Sequence, residues 1–251
     1  MQPSQAISTP VTTVQKDHVT IRSFLDKPIE ESVVQDIINA ARRSPTSSNM
    51  QTYSIMVVRD PEKKKKLAVL AGNQKHIETC PVFFAFCADL WRLTKAIEMH
   101  GNQFAKSLET TMVSVVDASL VGMSAQTAAE SHGLGGVMIG GMRNHPQEVG
   151  EILGLPKGVF VVYGLCIGWP DQVPDQKPRL PEALVVHHER YNQADPSSLI
   201  EQHDKELAAH YEAQGRNQDA AAWSGPLANR LQNPRRPELR ATLEGMGFVF
   251  E

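Results

Sequence analysis

The chain has 251 residues, of which 41% are hydrophobic and 21% are charged, and its formal net charge at pH 7 is −3. A chain of this length can bury a substantial core, and its slightly acidic balance excludes a general nucleic-acid-binding surface. The main basic block, Lys63–Lys66, follows Asp60-Pro61-Glu62, which is typical of a helix start. We therefore interpret the block as a solvated helix face.

The N-terminus and the cysteines indicate where the protein is expected to reside. Residues 1–15 are rich in Ser, Thr, Gln and Pro, without the basic start and apolar core of a signal peptide, so we expect a disordered leader. Polar side chains interrupt the longest apolar stretch, residues 110–132, and we expect no membrane span. The three cysteines, Cys80, Cys87 and Cys166, show no C-x-x-C spacing. They favour reduced core residues and a cytoplasmic location, with a single disulfide left open.

The predicted elements alternate between helices and strands. Apolar periodicity predicts helices over residues 29–43, after Pro61 in the lysine-rich segment, and over 105–132, 146–153 and 197–214, with a last helical pattern around 236–245. Apolar runs predict strands over 54–59, 82–88 and 158–169 and a short strand over 184–187, while 171–181 is predicted to be a loop. Few connections fit consecutive β-α-β units, so we predict an α+β fold with a mixed sheet.

The helix predicted over residues 105–132 is the longest, and Gly133 stands where helices commonly end. It contains many small residues, which permit close packing on several sides. We therefore expect this helix to lie at the centre of the fold and at a subunit interface.

Two separated segments carry cations at alternating positions. In an extended chain His18, Thr20 and Arg22 share one face, and so do Lys177 and Arg179. Brought together, such clusters form a site for a phosphate or a similar anion, because Arg supplies a planar donor fork and Lys a point charge. The alternative for either cluster alone is a pair of solvated surface charges.

Two further segments between these clusters suit an uncharged, flat ligand. Residues 45–51 offer hydroxyls and amides that can donate and accept hydrogen bonds without adding charge. The glycine-rich residues 132–143 allow backbone amides to approach a ligand closely. This segment is not a dinucleotide fingerprint, because Met138 stands where the third glycine belongs and a helix, rather than a strand, precedes it.

In this order and spacing, these segments resemble the FMN-dependent nitroreductase and flavin reductase superfamily, specifically its NADPH-preferring, oxygen-insensitive branch. Residues 72–76 and 164–170 belong to the same pattern, which runs from about His18 to the C-terminus. The resemblance implies a nitroreductase-like α+β fold with a central mixed, largely antiparallel sheet flanked by helices. It also implies one FMN-binding domain over 16–251 with a C-terminal extension, in an intertwined homodimer with FMN at the interface.

The resemblance also assigns FMN contacts to individual residues. It implies phosphate ligands at His18, Thr20 and Arg179, with Lys177 on the ribityl chain or the phosphate. It implies Arg22 at the N1–C2=O edge of the ring and Gln74 at the pyrimidine edge. The remaining implied contacts line the ring and the sugar: Ser47, Ser48, Gln51, the side chain of Ile139, and the backbone amides of Gly140 and Gly141.

This chemistry needs no catalytic side chain, because the cofactor performs the redox step and the protein supplies position and electrostatics. Hydride passes from the nicotinamide donor to flavin N5, and the acceptor then occupies the same face. We expect two-electron, ping-pong reduction of nitroaromatics, quinones or free flavins. The alternatives are a flavin reductase that supplies a partner monooxygenase, and a low-turnover flavin-binding sensor or carrier.

Metal-dependent and hydrolase chemistry have little support in the sequence. His203 and His210 are two helical turns apart, so we expect no metal site. The chain lacks the G-x-S-x-G motif that would indicate a hydrolase.

One departure from the family concerns the electron donor. Relatives in this branch carry several arginines in the segment matching residues 214–220, where this chain has Arg216, with Arg235 and Arg236 further on. We take Arg216 and Arg236 as the candidate NADPH ligands and expect weak discrimination between NADPH and NADH.

Overall fold

The computed structural model describes residues 8–216 and 219–251. Its backbone contacts divide the chain into two compact units, one comprising residues up to Pro174 together with Arg236–Glu251, and the other Asp175–Arg235. The predicted grouping of residues 16–251 into one domain stays a prediction. Among the residues described, no helix is long and apolar enough to cross a membrane.

The first unit is built on a four-stranded sheet in the order β1-β2-β4-β3, in which every neighbouring pair is antiparallel. The strands are β1 (Tyr53–Val58), β2 (Val82–Asp89), β3 (Gly135–Ile139) and β4 (Val159–Gly168). Every residue of β2 and β4 is buried, as their apolar runs predict. An isolated parallel bridge between Thr20 and Gly136 adds the one parallel pairing among the described residues, so the sheet is mixed but largely antiparallel. The α+β prediction with a largely antiparallel sheet is thus confirmed.

Helices cover the sheet of the first unit. In chain order they are α1 (Pro10–Lys16), α2 (Glu31–Ala41), α3 (Pro61–Leu70), α4 (Lys75–Thr79), α5 (Trp91–Glu98), α6 (Leu108–Ser131) and α7 (Pro146–Leu153), and α11 (Leu239–Gly245) completes the unit. Short 3₁₀ turns occupy Ser47–Asn49 and Gly140–Arg143. The second unit contains α8 (Glu182–Val185), α9 (Ser197–Ala213) and α10 (Ser224–Arg230).

The long helix α6 packs closely on the sheet, as the sequence predicts. Ser107 and Thr110 form a reciprocal capping box at its start. A side chain at Gly122 would place its Cβ 2.0 Å from the Tyr163 hydroxyl, so only glycine allows the helix to approach β4 here. The opposite side of α6 carries a stripe of exposed apolar residues: Leu108, Met112, Val116, Leu120 and Met123.

Two of the predictions are wrong. Residues 10–16 are helical rather than disordered, because Pro10 begins α1 and Thr9 and Thr12 cap it reciprocally, whereas residues 1–7 lie outside the described part of the chain. Residues 184–187 do not form a strand; Glu182–Val185 is a helical turn that begins directly after Pro181. The strand β3 was not predicted, because its glycines have little strand propensity.

Candidate functional site

The segment 18–22 lies along β3, the edge strand of the sheet. The Ile21 amide donates to the Gly136 carbonyl at 3.0 Å, and Thr20 forms the parallel bridge with the same glycine. Ile21 is buried against Gly135, where an added Cβ would lie 2.3 Å from its Cγ1. Because side chains alternate along an extended chain, Thr20 and Arg22 project away from Ile21. The expected shared face of His18, Thr20 and Arg22 fits this geometry.

His18 belongs to a hydrogen-bonded network with the end of α6. Its Nδ1 is 2.5 Å from Glu130 Oε1, and Gln126 Nε2 donates to the same oxygen at 2.6 Å. Gln126 is 1% exposed, and its Oε1 would lie 2.9 Å from a Cβ added at Gly136. The network therefore joins His18, α6 and the edge strand. A cavity of about 250 Å³ lies beside it, with His18, Glu130 and Gly135 in its wall.

Gln74 is held in a fixed orientation beside the end of β3. Its Nε2 donates to the Ala71 carbonyl at 2.7 Å, and its Oε1 is 3.0 Å from His76 Nε2. Burial, and next the nearby Arg22 guanidinium, lower the pKa of His76 below its ordinary value. The neutral imidazole is thereby favoured, and the effect places Arg22 within electrostatic reach of the Gln74–His76 pair.

The glycine turn after β3 lies against Gln74. A Cβ at Gly141 would lie 2.5 Å from the Ala71 oxygen and 2.7 Å from Gln74 Nε2, so the turn requires glycine. Gly140 and Gly141 begin the 3₁₀ turn, where amides have no intrahelical acceptor. Arg236 reaches the same turn, because its Nε donates to Asn144 Oδ1 at 2.8 Å and its Nη2 to the Gly140 carbonyl at 3.4 Å.

The predicted ring contact of Ile139 needs correction. Its side chain is 1% exposed and packs in a core cluster with Val137 and Met142, so it is closed to a ligand. Met138, one residue earlier, is 43% exposed on the other side of the strand. Residue 139 can therefore contribute only backbone groups to a site at the end of β3.

The polar loop after α2 has an unusual backbone conformation. Ser48, Asn49 and Gln51 have φ angles of 46°, 55° and 52°, in the left-handed region that non-glycine residues seldom adopt. Such strain persists only where surrounding contacts determine the conformation, and it concentrates at functional sites.

Asp117 of α6 provides those contacts. The carboxylate, which is 1% exposed, accepts hydrogen bonds from the Ser47 amide at 3.1 Å, the Thr52 amide at 3.0 Å and the Thr52 hydroxyl at 2.7 Å. Arg92 holds the loop from the other side, with Nη1 donating to the Gln51 carbonyl at 3.1 Å. The loop is thus fixed before any ligand binds.

The predicted site residues of the first unit form two groups. From Gly136, beside Thr20, to Gly140 is four residues of strand, about 13 Å, so the His18 end and the Gln74 end lie along one edge. The loop that carries Ser47, Ser48 and Gln51 is not part of this edge. Its anchor Asp117 is 13 residues from Glu130 on α6, about 20 Å along the helix axis. Within one copy of the chain, the anchor of the loop therefore lies about 20 Å along α6 from the His18 end of the edge.

The second unit holds the remaining predicted cations. Lys177 Nζ and the Arg216 guanidinium carbon lie 5.3 and 4.4 Å from the centre of the Tyr211 ring, so two cations lie close to one aromatic ring. Arg179 is exposed. Its predicted grouping with His18 and Thr20 stays a prediction, as does the NADPH role of Arg216, and residues 217–218 of that segment lie outside those described.

Sequence reasoning missed Asp117, Glu130 and Arg92, which position the predicted ligands. Asp117 and Glu130 are acids within a helix rich in small and apolar residues, and this pattern could have identified them. Charged groups are seldom buried unless they are paired. In the described part of the chain, no group of three or more His, Cys, Asp or Glu side chains is arranged to hold a metal ion.

The chain is similar to known proteins over most of its length. Residues 16–169 match the model of the nitroreductase family, and residues 177–251 match that of the nitroreductase family C-terminal domain. An FMN reductase (NAD(P)H) of Bacillus subtilis is 39% identical over 239 residues, 94% of this chain and 96% of that protein. An oxygen-insensitive NADPH nitroreductase of Salmonella typhimurium is 38% identical over 232 residues, 92% of this chain and 95% of that protein.

Solved structures are equally similar. NfrA2 of B. megaterium has a TM-score of 0.94 at 40% identity, covering 97% of this chain and 100% of that one. The NADPH:FMN oxidoreductase of Vibrio harveyi, complexed with NAD⁺, has a TM-score of 0.88 at 34% identity, with 97% and 100% coverage. The chain therefore belongs to the nitroreductase family, and its relatives are those of the NADPH-preferring branch.

Proposed function

We propose that this protein is an FMN-dependent NAD(P)H oxidoreductase that reduces nitroaromatics, quinones or flavins by two-electron transfer in a ping-pong cycle. The observation that carries the proposal is the single edge along β3, which leads from the His18 and Thr20 cluster to the Gln74 and Gly141 turn. The names of relatives, FMN reductase and NADPH nitroreductase, support the same cofactor and donor. Three buried free cysteines support a cytoplasmic location.

The residues present fit FMN. At one end, His18 and Thr20 offer donors for a terminal phosphate, and the proposal adds Lys177 and Arg179 there. At the other end, the fixed Gln74 amide can read the polar edge of a ring, and the glycine turn packs directly against Gln74, because a Cβ at Gly141 would lie 2.7 Å from its Nε2. Arg22 supplies positive charge near that edge, which favours the electron-rich form of the ring.

Bound FMN supplies the hydride-transfer chemistry, and the chain supplies binding and orientation. Gln74 is held by Ala71 and His76, so little reorientation is needed when it meets the ring. Arg236, already at the Gly140 turn, is placed to contact the donor or acceptor that enters beside the ring. The Arg216 guanidinium lies over the Tyr211 ring, and we propose Arg216 as a contact for the donor's phosphates.

We propose that the active form is a homodimer in which each FMN site uses both copies. Because the Ser47–Gln51 loop lies about 20 Å along α6 from the His18 network, we propose that a second copy supplies the loop to each site. The apolar stripe on α6 supports such an interface, since Val116 and Met112 are 53% and 54% exposed. We expect Val116→Lys to be monomeric in light scattering and to lose FMN. The control Val69→Lys, at an apolar residue of α3 that is 59% exposed, should stay dimeric.

The absorbance spectrum of the purified protein tests the function. We expect a flavin band that bleaches on anaerobic addition of either NADPH or NADH and returns when a nitroaromatic or quinone is added. Flavin as the preferred acceptor would favour the flavin reductase role, which the name FMN reductase of one relative supports. A colourless protein that takes up no FMN would refute the proposal. A yellow protein that no donor bleaches would indicate a binding protein instead.

A further inference from the structure

Glu130 lies at the centre of the network beside the proposed phosphate end, where the sequence predicted only His18, Thr20 and the cations of the second unit. Its side chain is 11% exposed, and Oε1 accepts from both His18 Nδ1 and Gln126 Nε2. Its other oxygen, Oε2, is buried and has no hydrogen-bond partner among the described residues.

This arrangement is costly for a residue that only packs the helix end. A buried carboxylate oxygen without a donor loses its hydration, and a neutral amide of the same shape would lose less. The His18 ring can meet two anions at once, the Glu130 carboxylate at Nδ1 and the proposed phosphate at Nε2. A neutral ring that donates from Nδ1 has an acceptor at Nε2, which repels phosphate oxygens, whereas the imidazolium donates from both.

We propose that Glu130, itself held by Gln126, is a positioning residue that fixes the His18 ring and supplies its counter-charge, so that the protein selects a flavin with a terminal phosphate over riboflavin. Gln126 contributes because it is pressed against Gly136, the residue that also bridges Thr20. The hydrogen bonds among His18, Glu130 and Gln126, together with the packing of Gln126 on Gly136, thereby set the positions of both proposed phosphate ligands, His18 and Thr20. The inference rests on the proposed FMN function and adds the residue that makes the phosphate necessary for binding.

The test compares FMN and riboflavin on the flavin-free full-length protein, using quenching of flavin fluorescence. For Glu130→Gln we expect the Kd of FMN to rise about 10- to 100-fold, the size of a lost charge-assisted hydrogen bond, while the Kd of riboflavin stays within about threefold. His18→Ala should give the same pattern, and the double variant should add little to either single change. Equal weakening of FMN and riboflavin, or no weakening of FMN, would overturn the proposal.

A matched control exists in the same unit. Asp36 Oδ2 pairs with His132 Nε2 at 2.8 Å, another carboxylate–histidine pair outside the proposed site. Asp36→Asn should leave the ratio of the two Kd values unchanged, and a change as large as that of Glu130→Gln would overturn the proposal.

A measurement on the unaltered protein covers the case in which Glu130→Gln does not fold. In the FMN complex, ¹⁵N NMR of the His18 side chain, assigned by its loss in His18→Ala, should show protons on both ring nitrogens at neutral pH. A neutral His18 ring would overturn the inference. Failure of the unaltered protein to bind FMN would instead refute the proposed function, so the two failures are distinguishable.

Discussion

Asp117 offers a quantitative test of how the polar loop is held. The carboxylate accepts the Thr52 amide and hydroxyl and the Ser47 amide, and Thr52 is 2% exposed. In Asp117→Ala the two buried Thr52 donors lose their acceptor, whereas the Ser47 amide is only partly buried and water can reach it. At about 1–3 kcal/mol for each of the two unsatisfied buried donors, we expect the free energy of unfolding to fall by about 2–6 kcal/mol. That is a large part of the 5–15 kcal/mol typical of a protein, yet the chain should still fold.

The same change should weaken FMN binding. The left-handed conformations of Ser48, Asn49 and Gln51 cost about 1–2 kcal/mol each, and Asp117 helps to hold them. Without the carboxylate the loop can relax into ordinary conformations, and ligand binding must then restore the strained one. Arg92 still holds the Gln51 carbonyl, so we expect FMN affinity to fall rather than vanish.

Urea unfolding and flavin fluorescence measure the two effects. Thr111→Val is the matched control, because it removes two partly buried hydrogen bonds of the Thr111 hydroxyl away from the loop, one to the Val249 carbonyl at 2.8 Å and one from the Val249 amide at 3.4 Å. It should cost about 1 kcal/mol and leave FMN affinity unchanged. A loss below 1 kcal/mol in Asp117→Ala, with unchanged FMN affinity, would refute the reasoning.

Three further changes have expected outcomes. Gly141→Ala should displace Gln74 and lower FMN affinity, measured by fluorescence, at least about tenfold, because the new Cβ would lie 2.7 Å from Gln74 Nε2. The control Gly154→Ala, where a Cβ meets open space, should leave FMN affinity unchanged. Equal FMN affinities for the two variants would remove Gln74 from the site. Burial raises the pKa of Cys87 to about 12 and the pKa of Cys166 well above its ordinary value, so both thiols stay protonated at pH 8. With Cys80 also buried, a thiol-reactive dye should therefore count no thiols in the native protein and three after denaturation, and fast native labelling would contradict the buried assignments. Arg179→Ala should raise the Kd of FMN about 10- to 100-fold, because a phosphate contact is lost. The control Arg190→Ala, also in the second unit, should leave the Kd of FMN unchanged, and an unchanged Kd in Arg179→Ala would exclude Arg179 from the site.

The sequence predicted those parts of the fold whose physical signal is local. β2 and β4 are continuous apolar runs, and α7 begins with Pro146 and ends before Gly154, so their limits are readable. β3 was missed because its glycines serve close contacts, such as Gly135 against Ile21, that only the folded chain reveals. Residues 184–187 form a short apolar run, as a strand would, but the helical turn that follows Pro181 takes in the first two of them.

The site was predictable as a set of ligands but not as a geometry. His18, Thr20 and Arg22 were found because alternation along an extended segment places them on one face. The side chains that hold them, such as Glu130 and Asp117, are distant in sequence and become neighbours only through α6. The resemblance to the family assigned Ile139 to the ring, but its side chain lies on the buried face of β3, and Met138 lies on the exposed face.

The central claim is that each FMN site draws on both copies of the chain, and hybrid dimers test it most directly. One copy carries His18→Ala and the other Asp117→Ala, each with a different affinity tag, and the hybrid is purified on both tags. If sites are shared, one site of the hybrid combines an unaltered His18 with an unaltered loop, so the account predicts one tightly bound FMN per hybrid dimer. If each site lies within one chain, both sites carry a defect, and a hybrid that binds FMN no better than the single-variant dimers would contradict the account.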